Sequence, residues 1–175
     1  LEVVNILAHP ELAQALGVRS VPWSRIGRFA FSGVLSPAEL EHWIRHAAQG
    51  TGTAEYYAAA LAAQGLAQVL DMIREQPASL GELLGLLAGP DTKMIVRIGI
   101  GALMEELQGS ETLRGAIPQL GTLTASPLPQ TRADVCHYLG LTASPAAIPW
   151  VRPLLGDPDP KVREIAAESL TLLGA

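Results

Sequence analysis

Cysteine is almost missing from this chain. Cys136 stands alone among 175 residues, so no disulfide can close within the sequence and no dithiol pair can cycle. Aromatic side chains are scarce at 5%, which leaves a core built from Leu, Ala, Val and Ile, a mixture suited to close-packed helices. Charge is also thin, at 17% of residues. The 12 Lys and Arg are scattered against 17 acidic residues for a net charge of -5, which excludes the basic footprint that neutralises phosphates. No nucleic acid partner is expected. There is no long hydrophobic run either: the longest, from Met94 to Met104, contains Arg97, Gly99 and Gly101 and falls far short of the roughly 20 residues a membrane span needs. The expectation is a soluble protein with no membrane contact, and the lone thiol points to a reduced, cytoplasmic setting. Leu1 opens within what reads as a strand, with no initiator Met and no charged segment before an apolar run, so the sequence reads as a piece of a longer chain.

What is present falls into two styles. Residues 1–7 carry Val3, Val4, Ile6 and Leu7 in a nearly unbroken aliphatic run, which predicts a short buried strand. His9-Pro10-Glu11 starts a helical turn with Leu12, Ala15 and Leu16 at helical spacing, and Gly17 ends it as a left-handed cap. Trp23 to Ile26 and Arg28 to Gly33 alternate about Gly27 and read as a hairpin. Ser36-Pro37-Ala38-Glu39 has the form of a capping box, and the helix it opens runs through Leu40, Trp43, Ile44 and Ala47.

This order, with Gly17-Val18-Arg19-Ser20-Val21-Pro22 leading into the hairpin and Ser36-Pro37-Ala38-Glu39-Leu40 opening the last helix, resembles the C-terminal half of thioredoxin and glutaredoxin-like domains. The resemblance covers residues 1–48. It implies a cis Val21–Pro22 bond and a peptide-binding edge at Val21, Pro22 and Trp23. That family's Cys-x-x-Cys lies on an earlier strand and helix that these residues do not contain. The sheet would then be completed by a missing segment or by a partner. On this reading the chain is redox-inactive as it stands. The alternative is the substrate-recruiting part of a thiol-disulfide oxidoreductase whose cysteines lie upstream of Leu1.

Residues 49–53, Gln-Gly-Thr-Gly-Thr, form a small polar linker. Beyond it everything predicts helix. Residues 54–75 read as one long helix, stopped by Pro77, and a repeat follows. Ala116-Ile117-Pro118 matches Ala147-Ile148-Pro149 at an offset of 31, and the register continues through Leu123/Leu154, Pro127/Pro158, Pro129/Pro160, Arg132/Arg163 and Leu139/Leu170. A diverged copy precedes them, giving repeats at about 79–107, 112–142 and 146–174. Pro118 and Pro149 lie inside predicted first helices and should bend them.

The stretch from Leu154 to Ala167, with Asp157-Pro158-Asp159-Pro160 and then Val162-Arg163, resembles the HEAT repeat. Asp159 can cap the second helix with Pro160 at its first position, while Val162, Ile165, Ala166, Ser169 and Leu170 face the stack. The resemblance implies that Asp159, Arg163 and Arg132 are structural repeat residues, with the arginines reaching carboxylates in adjacent turns.

Reactive candidates are few. His42 and His46 are four apart on a helix with Glu39 near the same face, but no third strong ligand joins them, and solvent exposure is the expectation. Cys136 and His137 are adjacent and so point about 100° apart on a helix. Cys136 aligns with Ala167 and reads as a small buried core residue. Gly99-Ile100-Gly101 lacks the strand and third glycine of a phosphate cradle, so close helix packing is expected. Trp23, Trp43 and Trp150 could anchor a partner if exposed, with core filling the expectation for each. The reading is therefore a mostly α fold, an α-α superhelix of HEAT-like hairpins preceded by a partial α/β thioredoxin-like module. It is expected to act as a protein or peptide-binding scaffold with no catalytic residue, metal or cofactor.

Overall fold

The computed structural model describes residues 2–18 and 20–175, so Arg19 of the stretch before Pro22, and Leu1, lie outside it. The chain divides into two compact units, 1–52 and 53–175.

The first unit does not hold the expected opening strand. Among residues 2–7 there is none: the Asn5 side chain accepts the Leu7 N–H at 3.0 Å, and the Asn5 backbone carbonyl accepts those of Ala8 and His9, so the segment turns. Val3 and Leu7 are consequently 86% and 90% exposed. Helix α1, Pro10–Ala15, follows and ends at Gly17 in the left-handed region, where the Gly17 and Val18 N–H groups bond back to Gln14 and Ala13. The Val21–Pro22 bond is cis, the isomer the family resemblance implies. Strands β1, Trp23–Ile26, and β2, Phe29–Ser32, then pair antiparallel with Ile26 opposite Phe29. Gly27 makes the turn at φ 59°, and a Cβ there would sit 3.0 Å from that of Ala47, so glycine serves both the dihedral and the approach of the next helix.

That helix is α2, Pro37–Gln49, opened by a complete capping box: Ser36 Oγ accepts from the Glu39 N–H while the Glu39 carboxylate accepts from the Ser36 N–H at 2.7 Å. Its buried Trp43 packs against Phe29 and Phe31, with ring centroids 5.0 and 5.2 Å apart.

The second unit is helical throughout. Residues 54–75 are not one helix. Helix α3, Thr53–Ala62, stops where Gln64 adopts φ 62° and the Gly65 and Gln64 N–H groups bond to the carbonyls of Ala60 and Leu61, and α4, Leu66–Glu75, folds back against α3. Two layers follow. The first comprises α5, Leu80–Gly85, then α7, Glu111–Gly115, with α8, Ile117–Leu123, and finally α10, Ile148–Val151. Prolines segment this layer more sharply than a bend: Pro118 falls in the first turn of α8, and Pro149 in that of α10, which is flanked by 3-10 turns at Pro145–Ala147 and Arg152–Gly156. The second layer comprises α6, Met94–Glu106, α9, Pro129–Leu141, and α11, Pro160–Leu172. Helix α9 touches α6, α8, α10 and α11, while α6 also packs on α3 and α4.

Among the described residues, no helix is long and apolar enough to cross a membrane.

Candidate functional site

The charged chemistry of the stack collects where one second-layer helix meets the next repeat. Arg132, in the first turn of α9, donates from Nε and Nη2 to the two oxygens of Asp157 at 2.7 and 2.8 Å. Its remaining nitrogen, Nη1, donates to the Ser126 and Pro127 carbonyls at 2.9 and 3.4 Å. The side chains are only 12% and 4% exposed, so this is a largely desolvated bidentate pair. The guanidinium beside Asp157 holds its carboxyl below the usual range and is itself raised in return.

The turn that presents Asp157 is set by its own sequence. Asp157 Oδ1 accepts the Asp159 N–H at 2.9 Å, and Asp159 in turn caps α11, accepting from the Lys161 and Val162 N–H groups at 2.8 and 3.4 Å. Asp159 is thus a helix cap, whereas the residue that joins repeats is Asp157. Arg163 occupies in α11 the place of Arg132 in α9. Its Nη1 donates to the Asp157 and Pro158 carbonyls at 2.8 and 3.1 Å, the same bonds one repeat later, and among the described residues it makes no hydrogen bond to a carboxylate.

The preceding joint has a different solution. Ser126 stands where Asp157 stands in the next repeat and supplies no carboxylate, although its hydroxyl still accepts the Leu128 N–H at 3.3 Å. Arg97 on α6 instead reaches Asp134 on α9 at 2.7 Å, with Thr131 Oγ1 at 3.0 Å and the Leu87 carbonyl at 2.9 Å. Arg97 is buried, an unusual place for a guanidinium that only this full set of acceptors makes tolerable. Sequence reasoning saw Arg97 only as an interruption of an apolar run. The available signal was its place six residues after Asp91, the spacing of Asp157 to Arg163.

Helix α9 between the joints buries Thr131, Ala133, Val135, Cys136, Tyr138, Leu139, Gly140 and Leu141, residues from nearly every side. Gly140 permits this, because a Cβ there would lie 3.0 Å from Ser169 Cβ and 3.2 Å from Ser169 Cα on α11. Gly121 likewise receives the Trp150 ring, whose nearest atom would be 2.3 Å from an added Cβ. Burial pushes the Cys136 thiol up to about 11, with the neighbouring Ser169 hydroxyl acting in the opposite direction, so thiolate chemistry is suppressed. The His137 ring lies 5.9 Å from that of Tyr138. Gly99 approaches Leu61 on α3, with an added Cβ 3.0 Å from its Cδ2, which is helix packing.

In the first unit Val21 is 62% exposed, Pro22 is exposed, and Trp23 is half-buried as the first residue of β1, opposite Ser32. The Glu39 carboxylate turns back onto Ser36 Oγ at 2.6 Å rather than lying along the helix with the histidines. The His42 and His46 rings meet edge to face with centroids 4.4 Å apart, and His46 Nδ1 is hydrogen-bonded to Thr51 Oγ1 at 2.8 Å.

Residues 117–175, the stretch from α8 to α11, match the family model described as HEAT repeats. No curated protein and no solved structure matches the chain.

Proposed function

We propose that the chain is a protein-binding scaffold whose working part is the HEAT-type stack. HEAT repeats are typical of protein-interaction scaffolds, and the match over residues 117–175 carries the reading. The joints support it: Arg97, Arg132, Asp134 and Asp157 are engaged in holding helices together, and Cys136 is buried, so the stack's internal polar groups serve architecture. Met94, Ile95 and Ile98, exposed together on the first half of α6, offer apolar area to a partner segment.

Residues 1–48 are read as a partial thioredoxin-like module, supported by the order of α1, hairpin and capped α2. In that reading exposed Val21 and Pro22, with Trp23, form an edge for an extended peptide.

Selecting peptides from a random display library on the purified chain, then mapping each by amide chemical-shift changes, tests the proposal. Saturable binding mapped to exposed faces of α6 or α11 is expected. Absence of any saturable ligand would overturn it.

A further inference from the structure

The first unit balances four acidic residues with four basic ones, so the whole net charge of -5 lies in residues 53–175. On α6 part of that charge stands where a helix tolerates it least. Glu105 and Glu106 occupy the last turn, at the negative end of the macrodipole, with no basic residue in that turn, and Lys93 stands at the opposite end as N-cap. Both carboxylates are exposed, and among the described residues neither makes an ion pair or a side-chain hydrogen bond. Arg114, the next cation along the chain, is engaged by Glu111 at 2.6 Å.

The two carboxylates share a face with the exposed apolar residues of the same helix. At about 100° per residue, Met94, Glu105, Ile98, Ala102, Ile95 and Glu106 fall in that order within about 120° of the circumference. Close approaches fix the flanks of this arc: a Cβ on Gly99 would lie 3.0 Å from Leu61 on α3, and one on Gly101 would lie 3.6 Å from the Tyr138 hydroxyl on α9. The arc between them faces outward, with Met94, Ile95 and Ile98 exposed by 63, 43 and 60%. It is a row of about 18 Å, apolar in its first half and acidic at its end.

We propose that this face of α6 docks an amphipathic helix of a partner protein, whose apolar stripe covers Met94, Ile95 and Ile98 and whose Lys or Arg residues, about two turns further along, meet Glu105 and Glu106. This rests on the scaffold reading above and gives its partner a chemistry. Charge complementarity selects the occupant. A cation at that end meets two carboxylates and the negative pole of α6 together, while Lys93 repels cations from the apolar end. Spacing selects a helix, because Met94, Ile98 and Ala102 form a ridge at intervals of four along which a second helix can pack.

The test titrates the full chain with end-blocked helical peptides that share a leucine stripe at i, i+3, i+4 and i+7. They differ only at i+10, i+11 and i+14 of the same face, which carry Lys, Gln or Glu. Each is made in both sequence directions, and backbone amide shifts report binding. The Lys peptide should bind saturably at residues 94–106, roughly threefold or more tighter than the Gln peptide, with the Glu peptide weakest. In Glu105→Gln with Glu106→Gln that preference should vanish, and the free variant should melt no lower than the parent, since two disfavoured charges have gone. Shifts centred outside α6, equal binding of the Lys and Gln peptides, or a preference that survives in the double variant overturns the proposal. A double variant that melts lower also overturns it, by showing that the carboxylates serve the fold. Concentration-dependent dimerisation of the chain alone, with shifts on α6, would assign the face to a second copy and overturn it too. A library-selected ligand that maps to α11 and binds the double variant equally well would leave the scaffold reading standing and remove this contact from it. Lys-selective binding on α6 with no library-selected ligand would do the reverse.

Discussion

Arg132 grips both oxygens of Asp157 across 25 residues of sequence, while its third nitrogen holds the turn of its own repeat. Removing either partner leaves a charge in a nearly dry joint. Asp157→Ala should therefore destabilise the stack by about 3 kcal/mol and lower its melting temperature by roughly 10 °C. Arg132→Met with Asp157→Ala should cost clearly less than the sum of the single changes. Thermal unfolding followed by circular dichroism checks both, and additivity would show that the pair is not coupled.

The same joint gives the stack a defined response to acid. Arg132 depresses the Asp157 pKa in the folded state, so the contribution is complete above the unfolded carboxylate value of about 3.9. It is lost as pH falls from there through the lower folded value. Urea midpoints should show the advantage of the parent chain over Asp157→Asn at pH 6 shrinking below about pH 4. A difference constant down to pH 3 would contradict this.

A methyl group on Gly140 would lie 3.0–3.2 Å from Ser169 Cβ, Oγ and Cα, so Ser169 must give by a few tenths of an ångström to admit it. Gly140→Ala should destabilise by roughly 1 kcal/mol, because crowding against the Ser169 backbone outweighs the roughly 1 kcal/mol that alanine gains over glycine in a helix. Adding Ser169→Gly should recover only part of that: the backbone of residue 169 still crowds the new methyl group, and glycine carries its usual helical cost. Denaturant midpoints of the single and double variants decide it, and an unaffected Gly140→Ala protein would disprove the close packing.

The Cys136 thiol should resist an aromatic disulfide reagent at pH 8 in the native protein and react within seconds in denaturant. Its pKa of about 11 and complete burial both withhold the thiolate. Rapid native labelling would place Cys136 at the surface.

Much of the local structure was legible in the residues. Ser36 and Glu39 announced their capping box, Gly17 its left-handed cap, Gly27 the hairpin, and the 31-residue register located α8 to α11. Three features were not. The break between α3 and α4 puts Gln64, a good helix former, in the left-handed conformation, while Gly65, the residue whose propensity signals a break, caps α4 at φ -81°, so the signal lies one residue from the position that makes the turn. Residues 2–7 have strand-like side chains, yet a strand exists only by pairing, and Asn5 directs its local hydrogen bonds into a turn. The joints were half visible. Arginines at matched positions stood out, but Asp157 and Asp159 lie two apart with one proline between them, and only their three-dimensional partners separate cap from clamp. Arg97 was concealed because an ion pair between α6 and α9 leaves no periodic trace in either helix alone.

The burial of α9 on nearly all sides sets the order in which the stack can come apart. Its amides are reached by solvent only after a neighbouring helix has moved away, whereas α11 keeps an outer row that is already wet. Deuterium should therefore enter α11 before α9, and the slowest-exchanging α9 amides report opening of the whole helical unit.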